Sequence, residues 1–282
     1  MKPVITVDLC SSISGESVVR KENIIWTLGE GSRVIVLVHG FATNREKALE
    51  GYDHFLRNIS KQSSHRATLR DYKFIAIIWP GYDHNKFINI ASFASRVADA
   101  ERAGDILAEH LSQCKEVVFV GHSLGCRFVL QALASMDPPA RKISKSLMLA
   151  AAVPEAHCED RSVYSSSRSG GPDQVVLYSK KDRVLQLLFN PGMRFARPGN
   201  SKAVGRTGGP EGRWSRASDT KLGHGKYWKS EVSSAALLQI MGIRPIEADR
   251  ERLPSANSET DLIRRPKSRQ DVVHLPTERH IG

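Results

Sequence analysis

The run Val117-Val118-Phe119-Val120-Gly121-His122-Ser123-Leu124-Gly125 constrains the fold more than any other stretch. Its unbroken β-branched and aromatic residues predict a buried strand. The strand ends in Gly-His-Ser-Leu-Gly, which fits the pattern G-x-S-x-G, and a helical pattern follows at once over Arg127-Phe128-Val129-Leu130-Gln131-Ala132-Leu133. Strand, sharp turn and helix in that order are the setting in which this pattern lifts a serine hydroxyl clear of a sheet. Gly121 and Gly125 suit a turn with no room for Cβ atoms beside that serine. The helix behind it aims N–H groups and a positive dipole end at any negative charge that develops there. The alternative is an inert serine in a Gly-rich turn, and the flanking strand and helix weigh against it.

The rest of the chain reads as alternating strands and helices. Residues 3–9 and 17–28 alternate apolar and polar side chains, with Ser11-Ser12-Ile13-Ser14-Gly15 between them, and predict antiparallel strands at a sheet edge. Arg33 to Val38 is a nearly continuous apolar strand, as expected of one covered on both faces, and it runs into His39-Gly40-Phe41. A helix is predicted from Thr43 to about Ser60, with Asn44 as N-cap and Ala48, Leu49, Tyr52, Phe55, Leu56 and Ile59 at helical spacing. Ser60 to Arg70 reads as a polar surface loop, and Tyr72 to Trp79 as the next strand. Trp79 and Tyr82 fall at that strand's C-terminal end, where open α/β sheets bind ligands; they are candidates for a substrate pocket, or else core aromatics.

A second helix is predicted from about Ile90 to Leu111, and the helix after Ser123 stops at Asp137-Pro138-Pro139. Ser146 to Ala152 and Gln174 to Ser179 are two further strands, separated by a Ser-rich loop from Val153 to Asp173 that is too short for a folded cap. Asn190 to Asp219 is Gly-, Pro- and Arg-rich and predicts a long irregular excursion. It leads to His224 in a Gly-flanked loop before a short helix from Lys229 to Met241. From Ile246 to Gly282 mixed charges, Pro and Ser dominate, which predicts a disordered tail of residues 246–282 after one domain over 1–245.

These parts together resemble the α/β-hydrolase superfamily in its serine-nucleophile branch. The likeness covers roughly residues 30–243 and rests on His39-Gly40-Phe41, Trp79-Pro80, His122-Ser123-Leu124-Gly125 and Tyr178-Ser179-Lys180-Lys181-Asp182-Arg183-Val184-Leu185. It is similar in these features to a set of bacterial esterase- and lipase-like hydrolases. The resemblance implies an α/β fold: a mostly parallel central sheet with helices on both faces and no large cap domain. It implies Ser123 as nucleophile, Asp182 as acid and His224 as base, in the chain order Ser, Asp, His that this fold uses. It also implies that the backbone N–H groups of Phe41 and Leu124 receive an oxyanion. Glu155 is the runner-up acid, and an N-cap before Val184 is the alternative role for Asp182. His39 is expected to pack under its loop, and His122 to point away from Ser123.

Expected activity is therefore cleavage of a small-molecule carboxylic ester, with a thioester, an amide or a peptide as other acyl donors for the same residues. No metal or organic cofactor is required. Among the 282 residues there is no apolar run long enough to span a membrane, and the N-terminus lacks a signal-peptide block. Cys10, Cys114, Cys126 and Cys158 have neither metal nor redox spacing, which points to free thiols and a cytoplasmic protein. The net charge of +11 concentrates between Lys180 and Lys229, where twelve Lys and Arg face three Asp and Glu. That excess reads either as a solvated surface or as a mouth for anionic substrates or an anionic lipid surface. A non-catalytic binding scaffold for an anionic partner is the rival class, with no specific nucleic-acid partner expected. Nothing in the sequence fixes the oligomeric state.

Overall fold

In a computed structural model of the protein, residues 4–13, 16–19, 31–63, 66–82, 90–168, 173–196 and 202–245 are described. Seven strands form one sheet, β1 (Ile5–Asp8), β4 (Arg33–Val38), β5 (Tyr72–Ile78), β6 (Glu116–His122), β7 (Lys145–Leu149), β8 (Gln174–Tyr178) and β9 (Arg216–Asp219). Their spatial order is β1-β5-β4-β6-β7-β8-β9, and every neighbouring pair is parallel. A parallel sheet needs crossovers that cover its faces, which is why its central strands read as continuous apolar runs. This is the α/β-hydrolase fold.

Alternation along each strand sorts the side chains into two cores. Ile35, Leu37, Phe74, Ala76, Val118, Val120, Leu147 and Leu149 face helix α1 (Arg45–Gln62) and helix α8 (Glu231–Ile240) in one cluster. Val34, Val36, Val38, Ile75, Ile77, Val117 and Phe119 face helix α3 (Ile90–Leu111) and helix α4 (Gly125–Ser135) in the other. Asn44 caps α1 as its sequence position predicts, its side chain accepting from the Lys47 N–H at 2.9 Å.

Several expectations are corrected. Strand β1 is not antiparallel: it pairs in parallel with β5, Ile5 opposite Ile75 and Asp8 opposite Ile78. The antiparallel pair is a separate one, β2 (Cys10–Ile13) with β3 (Glu16–Val19), so Ser11 to Ile13 is strand rather than connection. Alternation reports a half-buried strand but carries no information on the direction of its partner. Residues 20–28, expected to continue the second strand, lie outside the described residues, as does the tail from 246.

The expected loop from Ser60 to Arg70 is partly helical. Helix α1 continues to Gln62, and α2 (Arg66–Arg70) follows. Long-range bonds hold the last turns of α1: Asn58 donates to the Lys229 carbonyl and Gln62 to the Glu231 carbonyl. The Pro138-Pro139 stop opens α5 (Pro138–Lys142). Strand β7 ends at Leu149, and Ala150 to Val153 are apolar because they are buried, with the Ala152 N–H bonded to the Ser123 carbonyl. The loop after Val153 carries 3-10 turns at Glu155–His157 and Ser165–Ser167.

The largest correction concerns the excursion from Asn190 to Asp219. Helix α6 (Arg183–Ala196) runs into it, α7 (Val204–Thr207) follows, and Arg216–Asp219 is the last strand of the main sheet. A four-residue edge strand, Arg-Ala-Ser-Asp, has one neighbour and little apolar surface to bury, so it leaves no periodic trace.

Candidate active site

Strand β6 delivers Ser123 into a turn that few residues tolerate. Its φ is +53°, in the left-handed region. The Ser123 N–H donates to the Leu149 carbonyl at 2.9 Å, and its carbonyl accepts from Cys126 and Ala152 N–H groups at 3.1 and 3.0 Å. Three main-chain hydrogen bonds thus hold a strained residue in place. A Cβ on Gly125 would stand 2.4 Å from the His39 carbonyl oxygen, and one on Gly121 2.9 Å from the Gly125 oxygen. Gly40 is as restricted, since its Cβ would stand 2.7 Å from the Ser123 Cβ. The chain segments after β4 and after β6 are therefore pressed together at the serine.

His39 fixes the β4 side of that contact. It is fully buried, and burial lowers its pKa to about 4, so the ring is neutral. Its Nδ1 faces the Gly40 carbonyl at 2.9 Å and its Nε2 accepts the Trp79 N–H, which assigns the proton to Nδ1. The Trp79 indole stacks on the ring and donates to the His39 carbonyl at 2.8 Å. Downstream, neither the Phe41 N–H nor the Leu124 N–H has an acceptor among the described residues.

Asp182 follows β8 and is completely buried. One carboxylate oxygen caps α6 by accepting the Leu185 N–H at 3.0 Å. The other lies 2.7 Å from His224 Nδ1. The two roles considered for this residue coexist, one on each oxygen. His224 opens a 3-10 turn, His224–Lys229, and its Nε2 lies 3.0 Å from Ser123 Oγ. Three residues from the loops after β6, β8 and β9 thus meet at the C-terminal edge of the sheet. The carboxylate draws the imidazole proton to Nδ1 and leaves Nε2 free to accept the serine proton.

A sequence profile of the alpha/beta hydrolase family matches residues 35–272. The chain belongs to that family. Among solved structures this alpha/beta hydrolase is similar to an uncharacterized protein from Bacillus cereus ATCC 10987, at 14% identity and TM-score 0.42 over 78% of this chain and 62% of that one. It spans, therefore, about three fifths of that relative. An extracellular alpha/beta-hydrolase from a Paenibacillus species is similar at 12% identity and TM-score 0.40, over 75% and 99% of the two chains. The poly(3-hydroxybutyrate) depolymerase LpqC from Bordetella parapertussis is similar at 15% identity and TM-score 0.43, over 82% and 83%. No curated protein sequence matches the chain.

The hydrolase holds its histidine from below through a residue not predicted to matter. His122 Nε2 lies 2.7 Å from the His224 carbonyl oxygen, and the two rings are 5.0 Å apart. Burial, with the neighbouring His224 second, lowers the His122 pKa to about 3. The neutral ring donates from Nε2 to that carbonyl. His122 reaches across to the His224 turn, a role for which its place beside Ser123 gave no signal. Trp228 anchors the same turn, packed edge-on against Tyr52 and Phe55 of α1 with Gly51 leaving it room.

Other candidates lie apart. Glu155 bonds the Thr207 hydroxyl and is not joined to His224. Trp79 is buried, and with Tyr82 it lines a cavity of about 400 Å³ beside the start of α1, bounded also by Asp8, Cys10, Asn44 and Arg45. Neither Ser123 nor His224 lines that cavity. All four cysteines are free, and no helix among the described residues is long and apolar enough to cross a membrane.

Proposed function

We propose that this alpha/beta hydrolase is a serine hydrolase that cleaves carboxylic esters. One observation carries the reading: Asp182, His224 and Ser123 form an unbroken chain of contacts, 2.7 Å and then 3.0 Å long, ending on a hydroxyl in a strained turn. Ser123 Oγ attacks the acyl carbonyl as His224 Nε2 takes its proton. The buried Asp182 carboxylate keeps His224 in the correct tautomer and balances the imidazolium. The oxyanion is received by the N–H groups of Phe41 and Leu124, each worth about 3 kcal/mol in the barrier. His224 returns the proton to the leaving alcohol, and an acyl-enzyme remains. Water, deprotonated by His224, then releases the acid.

The scheme needs no metal or organic cofactor. A thioester, amide or peptide bond could enter the same sequence, since the three residues do not select the leaving group. The four free thiols support a reducing, cytoplasmic setting. The tests are labelling by a fluorophosphonate probe and a panel of p-nitrophenyl esters, acyl thioesters and anilides. Wild type labels and turns over esters fastest; equal labelling of Ser123→Ala overturns the assignment. Salt-sensitive binding of a polyanion without any labelling would favour the binding-scaffold reading instead.

A further inference from the structure

Helix α6 begins one residue after Asp182 and shows two unlike faces. Leu185 and Phe189 are buried in the core cluster that also holds Tyr227 of the His224 turn. Val184, Leu187 and Leu188, spaced i, i+3 and i+4, are 43%, 65% and 55% exposed. They are three of the six large apolar side chains counted as exposed among the described residues, gathered on one helix face. At 1.5 Å per residue, Leu188 stands about 9 Å along the axis from the carboxylate that holds His224. The apolar face therefore lies at the rim of the candidate site.

Cations lie beside it, at the helix start and in the neighbouring loop. Lys180, Lys181 and Arg183, which flank Asp182, are exposed, and so are Lys221 and Lys226, which flank His224. None of the five has an ion-pair partner among the described residues. The bond between Asp182 and His224 brings their two loops together, so these cations share one surface. The acidic groups of the same loops do not neutralise it. Asp182 is buried and joined to His224, and Asp219 is half-buried with its carboxylate turned to the Lys221 N–H.

We propose that this face docks on an anionic lipid surface and that the ester hydrolysed is an acyl lipid presented there. The substrate part rests on the serine-hydrolase reading above; the docking does not. An amphipathic helix with exposed leucines and a border of Lys and Arg fits a membrane interface: the leucines enter the acyl boundary and the cations meet lipid phosphates. Charge complementarity selects this occupant over a second copy of the chain, because a symmetric contact would set the same five cations against one another.

The full-length protein is mixed with vesicles of phosphatidylcholine alone or with phosphatidylglycerol added, and sedimented at low and high salt. Fluorophosphonate labelling and p-nitrophenyl acetate turnover are followed in the same samples. Wild type is expected to sediment with the anionic vesicles and to be released by salt. The double variants Leu187→Ser/Leu188→Ser and Lys180→Glu/Lys181→Glu should each lose about tenfold or more in vesicle affinity, with circular dichroism unchanged. Turnover of phosphatidylglycerol in vesicles should fall in step with binding. Absence of anionic vesicle binding by wild type overturns the docking, even where labelling succeeds; so does unchanged binding by the leucine variant. A mass by light scattering that halves in the leucine variant, without vesicle binding by either protein, overturns it in favour of an interface between copies. Vesicle binding without labelling leaves the docking standing and removes the hydrolase reading.

Discussion

Asp182 separates two effects that are normally tangled. Its Oδ2 faces His224 Nδ1 at 2.7 Å and its Oδ1 caps α6 at 3.0 Å. In Asp182→Asn the cap survives, because asparagine caps as well as aspartate. The amide nitrogen now faces Nδ1, and His224 must turn to the tautomer that carries its proton on Nε2. That proton points at Ser123 Oγ, so the ring can no longer accept from it. The expected loss in kcat is about 10⁴-fold, or about 5.4 kcal/mol in the barrier. Asp182→Ala loses the orienting group and the cap together. It should match the asparagine variant in activity and lie about 1 kcal/mol below it in stability, which for a chain of this size is about 2–4 °C in Tm. Ester turnover with a p-nitrophenyl substrate and thermal unfolding by circular dichroism read the two effects separately. If Asp182→Asn keeps a tenth or more of wild-type kcat, the orienting role is wrong. If the alanine variant melts with the asparagine variant, the cap contributes nothing.

Other perturbations act on the frame around the site. Ser123→Gly should unfold about 1 kcal/mol later than Ser123→Ala, since φ of +53° strains every residue but glycine; urea titration of the two variants measures the difference. Gly125→Ala sets a methyl 2.4 Å from a main-chain oxygen and should cost about 3 kcal/mol or more, seen as a lowered Tm or as insoluble protein. His122→Phe leaves the half-buried His224 carbonyl without its donor and should lower kcat about tenfold with KM unchanged; a KM effect alone would refute the positioning. Acid stability offers a further check. Unfolded histidine takes its proton near pH 6.5, whereas folded His39 and His122 take theirs near 4 and 3. Between those values the unfolded chain binds more protons, so the stability from keeping these rings neutral is full above about pH 6.5. It is lost as pH falls toward 4, at about 2.7 kcal/mol per unit for the pair. Between pH 7 and pH 5, urea unfolding should show a loss of about 4 kcal/mol, since the full slope is reached only below about pH 5.5, and His122→Phe should halve it.

What the sequence determined by itself is local. The apolar runs of β4, β5, β6 and β8 and the helical spacing of α1 and α3 each follow from side chains within a few residues of one another. The glycines at 121 and 125 were legible for the same reason, because a sharp turn restricts its own residues. The need for Gly40 was not legible, since the atom that excludes a Cβ there belongs to Ser123, far along the chain. Edge strands were only partly legible. β1 alternates but cannot announce a parallel partner, and β9 is too short and polar to register. The same division runs through the candidate site. Ser123, Asp182 and His224 could be named from motif and order, but their separations of 3.0 and 2.7 Å exist only because the parallel strands β6, β8 and β9 end at one edge of one sheet. His122 received no role from its place in the motif, because its partner is a carbonyl 102 positions away. Contacts made within a turn of chain are written in order along it. Contacts made between turns are decided by how the sheet brings its ends together.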